Sequence, residues 1–203
     1  MSIIKASFWT YPKPLILASQ SQTRSQMLER LNLAPHCVAA DIDERSVETT
    51  AAPDEISRAL ARHKAVHIAA QFPDHIVLGA DQTLSCEGVF YHKPKTTAEA
   101  RAQLLALSGK THALTSSAAL VCNGHILLEC TQIAQLTMRA LETDFIDAYL
   151  EAMGETIFST VGGYQVEALG AHLFTQIEGD HFTILGCPLL PVLSFFRQAG
   201  YVR

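Results

Sequence analysis

The segment from Thr111 to Met138 limits the fold more than any other. Two long strand-like runs meet at Asn123-Gly124, a dipeptide that accepts the positive φ values of a two-residue hairpin turn. A long antiparallel pair is therefore expected there. Around it, short apolar runs alternate with helical patterns. Leu15 to Ala18 reads as a buried strand, followed by the polar turn Ser19-Gln20-Ser21. Met27, Leu28 and Leu31 then fall at helical spacing, so a serine is available as N-cap. Cys37 to Ala40 reads as a second strand. Pro53-Asp54-Glu55 opens a helix to about Ala70, with Ile56, Leu60, His63 and His67 as its stripe. Ile76 to Ala80 is a buried strand ending at Asp81, and Leu84 to Tyr91 a hairpin turning at Glu87-Gly88. Helices are expected from Thr96 or Thr97 to Leu107, from Thr143 to Met153, and from Pro188 to Gln198; Gly162 to Gly186 is mixed. This order of elements indicates an α/β protein with a mixed sheet, without internal repeat or linker.

Composition sets the outer limits. With 203 residues, 48% apolar and 17% charged, the chain can bury a real core, which excludes intrinsic disorder. A net charge of -5 argues against a general nucleic-acid binder. It leaves room for a polyanionic substrate only if positive charge is gathered locally. The five cysteines show no CxxC spacing and read as reduced, mostly buried thiols. No run reaches the roughly 18 uninterrupted apolar residues of a membrane span, and no signal peptide is visible, so a cytosolic protein is expected.

Four segments carry candidate chemistry. In Leu17–Arg24 a strand enters a hydroxyl-rich turn and a helix N-terminus, where backbone N–H groups attract phosphate. Arg24 in that first turn opposes the helix dipole unless an anion compensates. Asp81 ends an apolar strand, where ligands gather in α/β sheets, and is placed to act as general base or metal ligand. His92-Lys93-Pro94-Lys95 sets two compact cations beside a rigid proline. Lys64 lies roughly 80° round its helix from Ile56, flanking the stripe. Taken singly, each segment also has a structural explanation: a serine cap with a surface arginine, a turn-capping aspartate, a solvated basic turn, a snorkelling lysine. His63 and His67 have the spacing of a helical zinc pair, but Lys64 stands where the glutamate of HExxH belongs. Neither the Gly-x-Ser-x-Gly elbow nor the Walker-type phosphate loop occurs.

Together, LASQSQTR (17–24), DIDE (41–44), ARHK (61–64), GADQ (79–82), HKP (92–94), LSGKTH (107–112), GGYQVEALG (162–170) and IEGDHFTILGCPL (177–189) resemble, in order and over nearly the whole chain, the Maf family of nucleoside triphosphate pyrophosphatases. The resemblance implies a Maf/ITPase-like α/β fold, an elongated mixed sheet with flanking helices and two lobes around a deep cleft. A single Maf-like domain over 1–203 is expected, usually forming a homodimer. The implied reaction is hydrolysis of a nucleoside triphosphate to the monophosphate and pyrophosphate, aided by a divalent metal cation (Mg²⁺, Mn²⁺ or Co²⁺). A cytoplasmic protein without nucleic-acid or membrane partners follows.

Carried over residue by residue, Asp81 matches the family's catalytic base, and Ser19, Ser21 and Arg24 its phosphate loop. Glu44, Lys64 and Lys93 match the remaining catalytic polar positions, with Glu44 and Asp81 as metal ligands. The family's dTTP/UTP type has Arg before the loop arginine, Thr after the catalytic aspartate and Gln in the late segment. Its 7-methyl-GTP type tends to Trp, Gln and Glu there. This chain has Thr23, Gln82 and Glu167, so two positions match the second type and Thr23 matches neither. The expected base is 7-methylguanine, with a dTTP/UTP pyrophosphatase as the alternative. A reading from another class is a non-catalytic nucleotide-binding regulator of septum formation, against which the retained acid–base set argues.

Overall fold

The computed structural model describes residues 8–42 and 52–203. The acidic position Glu44 lies outside the described residues. The elements run β1 (Ile16–Leu17), α1 (Gln22–Arg30), β2 (His36–Cys37), α2 (Pro53–Ala69), β3 (Val77–Cys86), β4 (Val89–Tyr91), α3 (Thr97–Leu107), β5 (Thr111–Cys122), β6 (His125–Met138), α4 (Thr143–Met153), β7 (Phe174–Glu178), α5 (His181–Ile184) and α6 (Leu189–Gln198). Three 3₁₀ turns lie between α4 and β7. Among the described residues the sheet has seven strands in the order β2-β1-β3-β5-β6-β7, with β4 on β3. β1 is parallel to both β2 and β3, whereas β3/β4 and β6/β7 are antiparallel. The sheet is thus mixed, as the alternation of strands and helices implies.

The chain divides into two compact units: 1–81, 116–132 and 185–203 form one, and 82–115 with 133–184 the other. In the first, Ile16, Ala18, Ala61, Ala65, Ile68, Val77, Ala119 and Val121 form a core. Trp9 packs edge-on against Phe196 with ring centroids 5.1 Å apart. In the second, Leu84, Leu104, Leu107, Leu136, Ile146, Leu150 and Tyr164 are among the buried residues of another core.

The hairpin turn forms as expected, with Asn123 at φ 50° and Gly124 at φ 73° between β5 and β6. Three expectations change. First, β3 is one strand rather than a strand and a separate hairpin arm. It pairs β1 at Val77 and Leu78 and β4 at Leu84 to Cys86, so Asp81 sits within it and not at its end. Second, α2 buries Ser57, Leu60, Ala61, Lys64, Ala65, Ile68 and Ala69, while His63 and His67 are exposed. The buried face is built from small residues because it meets a glycine on β3, as described below. Third, the second strand is only His36–Cys37, and the 162–186 segment contributes β7 and α5.

Candidate functional site

At the start of α1, Ser21 is the N-cap. Its Oγ accepts from the Arg24 N–H at 3.4 Å, satisfying one donor of the first turn. Ser19 Oγ accepts twice, from the Ser21 N–H at 3.1 Å and from Arg24 Nη1 at 3.3 Å. Arg24 Nε donates to the Gly186 carbonyl at 2.8 Å. No acid stands in the first turn of α1. The guanidinium is therefore held by a hydroxyl and a carbonyl, both neutral. Thr23 is half-buried on the same turn.

The second grouping is on β3. Gly79 and Asp81 are two residues apart and face the same side of the strand. A Cβ on Gly79 would lie 2.7 Å from the Ala65 nitrogen and within hard-core distance of the Ala61 carbonyl oxygen. Only glycine lets the α2 backbone approach so closely. That approach brings Lys64, between the two alanines, over Asp81: Nζ donates to Oδ1 at 2.6 Å, with both side chains about nine-tenths buried. β1 and β3 are parallel neighbours in the register Leu17↔Leu78, so the Ser19 loop leaves β1 at the sheet edge toward which Asp81 lies. Ser19, Ser21 and Arg24 form one cluster, and Lys64 and Asp81 another, within the first unit.

Gln82, Lys93 and Glu167 belong to the second unit. The Gln82 amide donates to the Thr183 and Ile184 carbonyls, 3.0 Å each. Asp180 secures that segment by accepting from the Thr183 N–H at 2.9 Å and its hydroxyl at 3.1 Å. Lys93 is exposed on the loop after β4, and Glu167 is exposed in the turn before the 3₁₀ segment 169–173. A cavity of about 580 Å³ in this unit is lined by Arg101, Asp147, Glu151, Glu155 and Phe158, among others, and holds none of the candidate residues. His112 and Tyr164 form a buried pair, Nε2 to Oη 2.6 Å. Burial pushes the His112 imidazole down to about 4 and the Tyr164 phenol well above its usual range.

Sequence reasoning assigned no role to Gly79, Gly186 or the His112–Tyr164 pair. A glycine inside an apolar strand is a recognisable sign of close backbone approach; a carbonyl that holds an arginine has no side-chain signature. For a metal, the described residues contain no group of three His, Cys, Asp or Glu side chains. Asp81 still fits a hard cation of the Mg²⁺ kind, which uses one or two protein carboxylates together with substrate phosphates.

The model of the family described as Maf-like protein matches residues 14–199. The chain belongs to the Maf family. A Maf relative named nucleoside triphosphate pyrophosphatase, from Nitrobacter hamburgensis, is 46% identical over 195 residues, covering 95% of this chain and 96% of its own. One named 7-methyl-GTP pyrophosphatase, from Rhizobium johnstonii, is 46% identical over 193 residues, covering 93% and 97%. A solved HAM1 protein from Coxiella burnetii shares 23% identity at TM-score 0.41, over 61% of this chain and 72% of that one.

Proposed function

We propose that this Maf protein is a nucleoside triphosphate pyrophosphatase, a hydrolase of acid anhydrides. The observation that carries the proposal is the buried Lys64–Asp81 pair beside the Arg24 loop on neighbouring parallel strands, in a chain whose relatives bear that name. Water attacks the α-phosphorus. A new P–O bond forms there, the bond to the α,β-bridging oxygen breaks, and pyrophosphate leaves with that oxygen. Asp81 orients the water and accepts its proton. A triphosphate carries about four negative charges, so Arg24, Lys64 and Lys93 neutralise it as attack proceeds. Lys64 is anchored on Asp81 at rest and exchanges toward phosphate when the nucleotide is present. Asp81, with Glu44, would hold a divalent cation, which supplies further charge neutralisation when bound.

Ser19 and Ser21 shape the phosphate loop, and Thr23 stands beside it. Gln82 and Glu167 select the base. A carboxylate accepts two hydrogen bonds from the N1–H and amine edge of a guanine, whereas uracil offers one N–H between two carbonyls. Matching that edge favours 7-methyl-GTP over dTTP or UTP, and the 7-methyl-GTP name of some relatives supports the same choice. The five free thiols support a reducing, cytoplasmic setting. Among the described residues no helix is long and apolar enough to cross a membrane. The family resemblance supports a homodimer.

The test is pyrophosphate release from 7-methyl-GTP, GTP, UTP, CTP and dTTP measured side by side. A kcat/KM highest for 7-methyl-GTP is expected. Preference for UTP or dTTP overturns the base assignment, and no release from any nucleotide overturns the reaction.

A further inference from the structure

We infer that Gly186, in the Leu185-Gly186-Cys187-Pro188 turn before α6, is the positioning residue that aims Arg24 at the substrate's phosphates. The inference rests on the pyrophosphatase reading and adds to it a residue outside the catalytic set. An arginine at the start of a helix is repelled by the dipole and would swing into solvent without an acceptor. Here Arg24 Nε is tied to the Gly186 carbonyl at 2.8 Å and Nη1 to Ser19 Oγ at 3.3 Å. Those two bonds hold the guanidinium at two of its three nitrogens. Nε is taken, so the side-on edge is blocked. The remaining N–H groups of Nη1 and Nη2 are left for phosphate oxygens.

Gly186 is required in its place for two reasons. Its φ is +95°, a backbone conformation that residues with a Cβ rarely adopt. A Cβ there would also stand 3.2 Å from Arg24 Nη2 and 3.3 Å from Nε, pushing the guanidinium off its axis. Both anchoring groups and the arginine belong to the same compact unit, Ser19 and Arg24 from one stretch of sequence and Gly186 from another far along the chain. The carbonyl is neutral, so it orients the cation without cancelling the charge that the substrate must meet.

The experiment is a double-mutant cycle on kcat/KM for the preferred nucleotide, using Gly186→Ala, Arg24→Ala and the pair. Inhibition by inorganic tripolyphosphate is measured in parallel as a readout of phosphate binding alone. Misplacement of a positioning group costs up to about 10²-fold, so Gly186→Ala should lower kcat/KM and weaken tripolyphosphate inhibition together. In the Arg24→Ala background the same change should cost less than about 2-fold, because nothing is left to aim. Independent, multiplying losses overturn the inference, as does an unchanged tripolyphosphate inhibition in folded Gly186→Ala. Where Gly186→Ala does not fold, Ser19→Ala in the same cycle decides: non-additive with Arg24→Ala supports a tethered guanidinium, additive overturns it. A wild type that hydrolyses no nucleoside triphosphate instead overturns the functional reading, and calorimetric binding of inorganic tripolyphosphate to wild type and Gly186→Ala then decides the aiming of Arg24: weaker binding by the variant supports it, equal binding overturns it.

Discussion

Replacing Gly79 by alanine tests how the Lys64–Asp81 pair is built. The added methyl would fall 2.9 Å from the Ala65 Cβ, 2.7 Å from the Ala65 nitrogen and closer still to the Ala61 carbonyl oxygen. Ordinary contact lies near 3.5 Å, so α2 must retreat by about 1 Å. The obstruction is the backbone of a 17-residue helix, which cannot swing aside as a side chain can. A radial gap of about that size forfeits roughly a quarter to a half of the dispersion well for each atom pair across the seam. Overpacked cores lose about 1–3 kcal/mol, occasionally more, and a rigid obstacle sets the loss at the upper end, about 3 kcal/mol. For a chain of this size that is a fall in Tm of roughly 6–12 °C. The same retreat draws Lys64 Nζ from 2.6 Å out to the limit of a hydrogen bond with Asp81. Turnover should therefore fall even well below the new Tm. Thermal melting by circular dichroism, with pyrophosphate release assayed on the folded variant, measures both. A Tm within about 2 °C of wild type with normal turnover would refute the close-packing argument.

Asp81→Asn keeps the shape but cannot take a proton: turnover should drop by roughly 10²–10⁴-fold with nucleotide affinity largely kept, and near-normal turnover rejects Asp81 as base. The same variant exchanges the carboxylate beside the buried Lys64 ammonium for a neutral amide, so it should be less stable than wild type, part of the loss recovered by adding Lys64→Met; unfolding in urea measures this, and an unchanged midpoint contradicts the burial of the pair. His112 titrates at about 4 in the folded protein because it is buried, against about 6.5 in an unfolded chain. The unfolded state thus binds the proton first. The contribution of neutral His112 is fully present above about pH 6.5 and is lost as pH falls toward 4, about 3 kcal/mol in all. His112→Gln should flatten that part of the urea midpoint against pH, and parallel curves for the two proteins would reject the assignment.

Elements set by local signals were legible in the sequence. The Asn123-Gly124 turn needs two positive φ values, and Thr96 at the start of α3 accepts from the Glu99 N–H at 3.1 Å, as a cap should. Elements set by partners were not. Asp81, Gln82 and Thr83 break the apolar run, yet β3 continues through them because neighbouring strands flank it. The face of α2 was misjudged because apolar size suggested Ile56 and the two histidines, whereas Gly79 selects Ala61 and Ala65, and Lys64 with them. Strand β7, inside a glycine-punctuated stretch, declares itself only by pairing with β6. The site residues were legible as motif positions. What holds them, a missing Cβ at Gly79 and a backbone carbonyl at Gly186, is written in no side chain.

The contrast between the two cations has a kinetic consequence for the proposed enzyme. Lys64 is already closed on a carboxylate, so from a distance the pair is a short dipole whose field fades within a few ångströms. Arg24 is anchored by uncharged groups and keeps its full monopole. Of these two cations, Arg24 is therefore the one that draws in an approaching polyphosphate, and Lys64 is released to it only at contact, when the phosphate displaces it from Asp81. A small anion that reaches Arg24 without the bulk to displace that pair leaves the carboxylate locked, so the resting ion pair acts as a gate on ligand size.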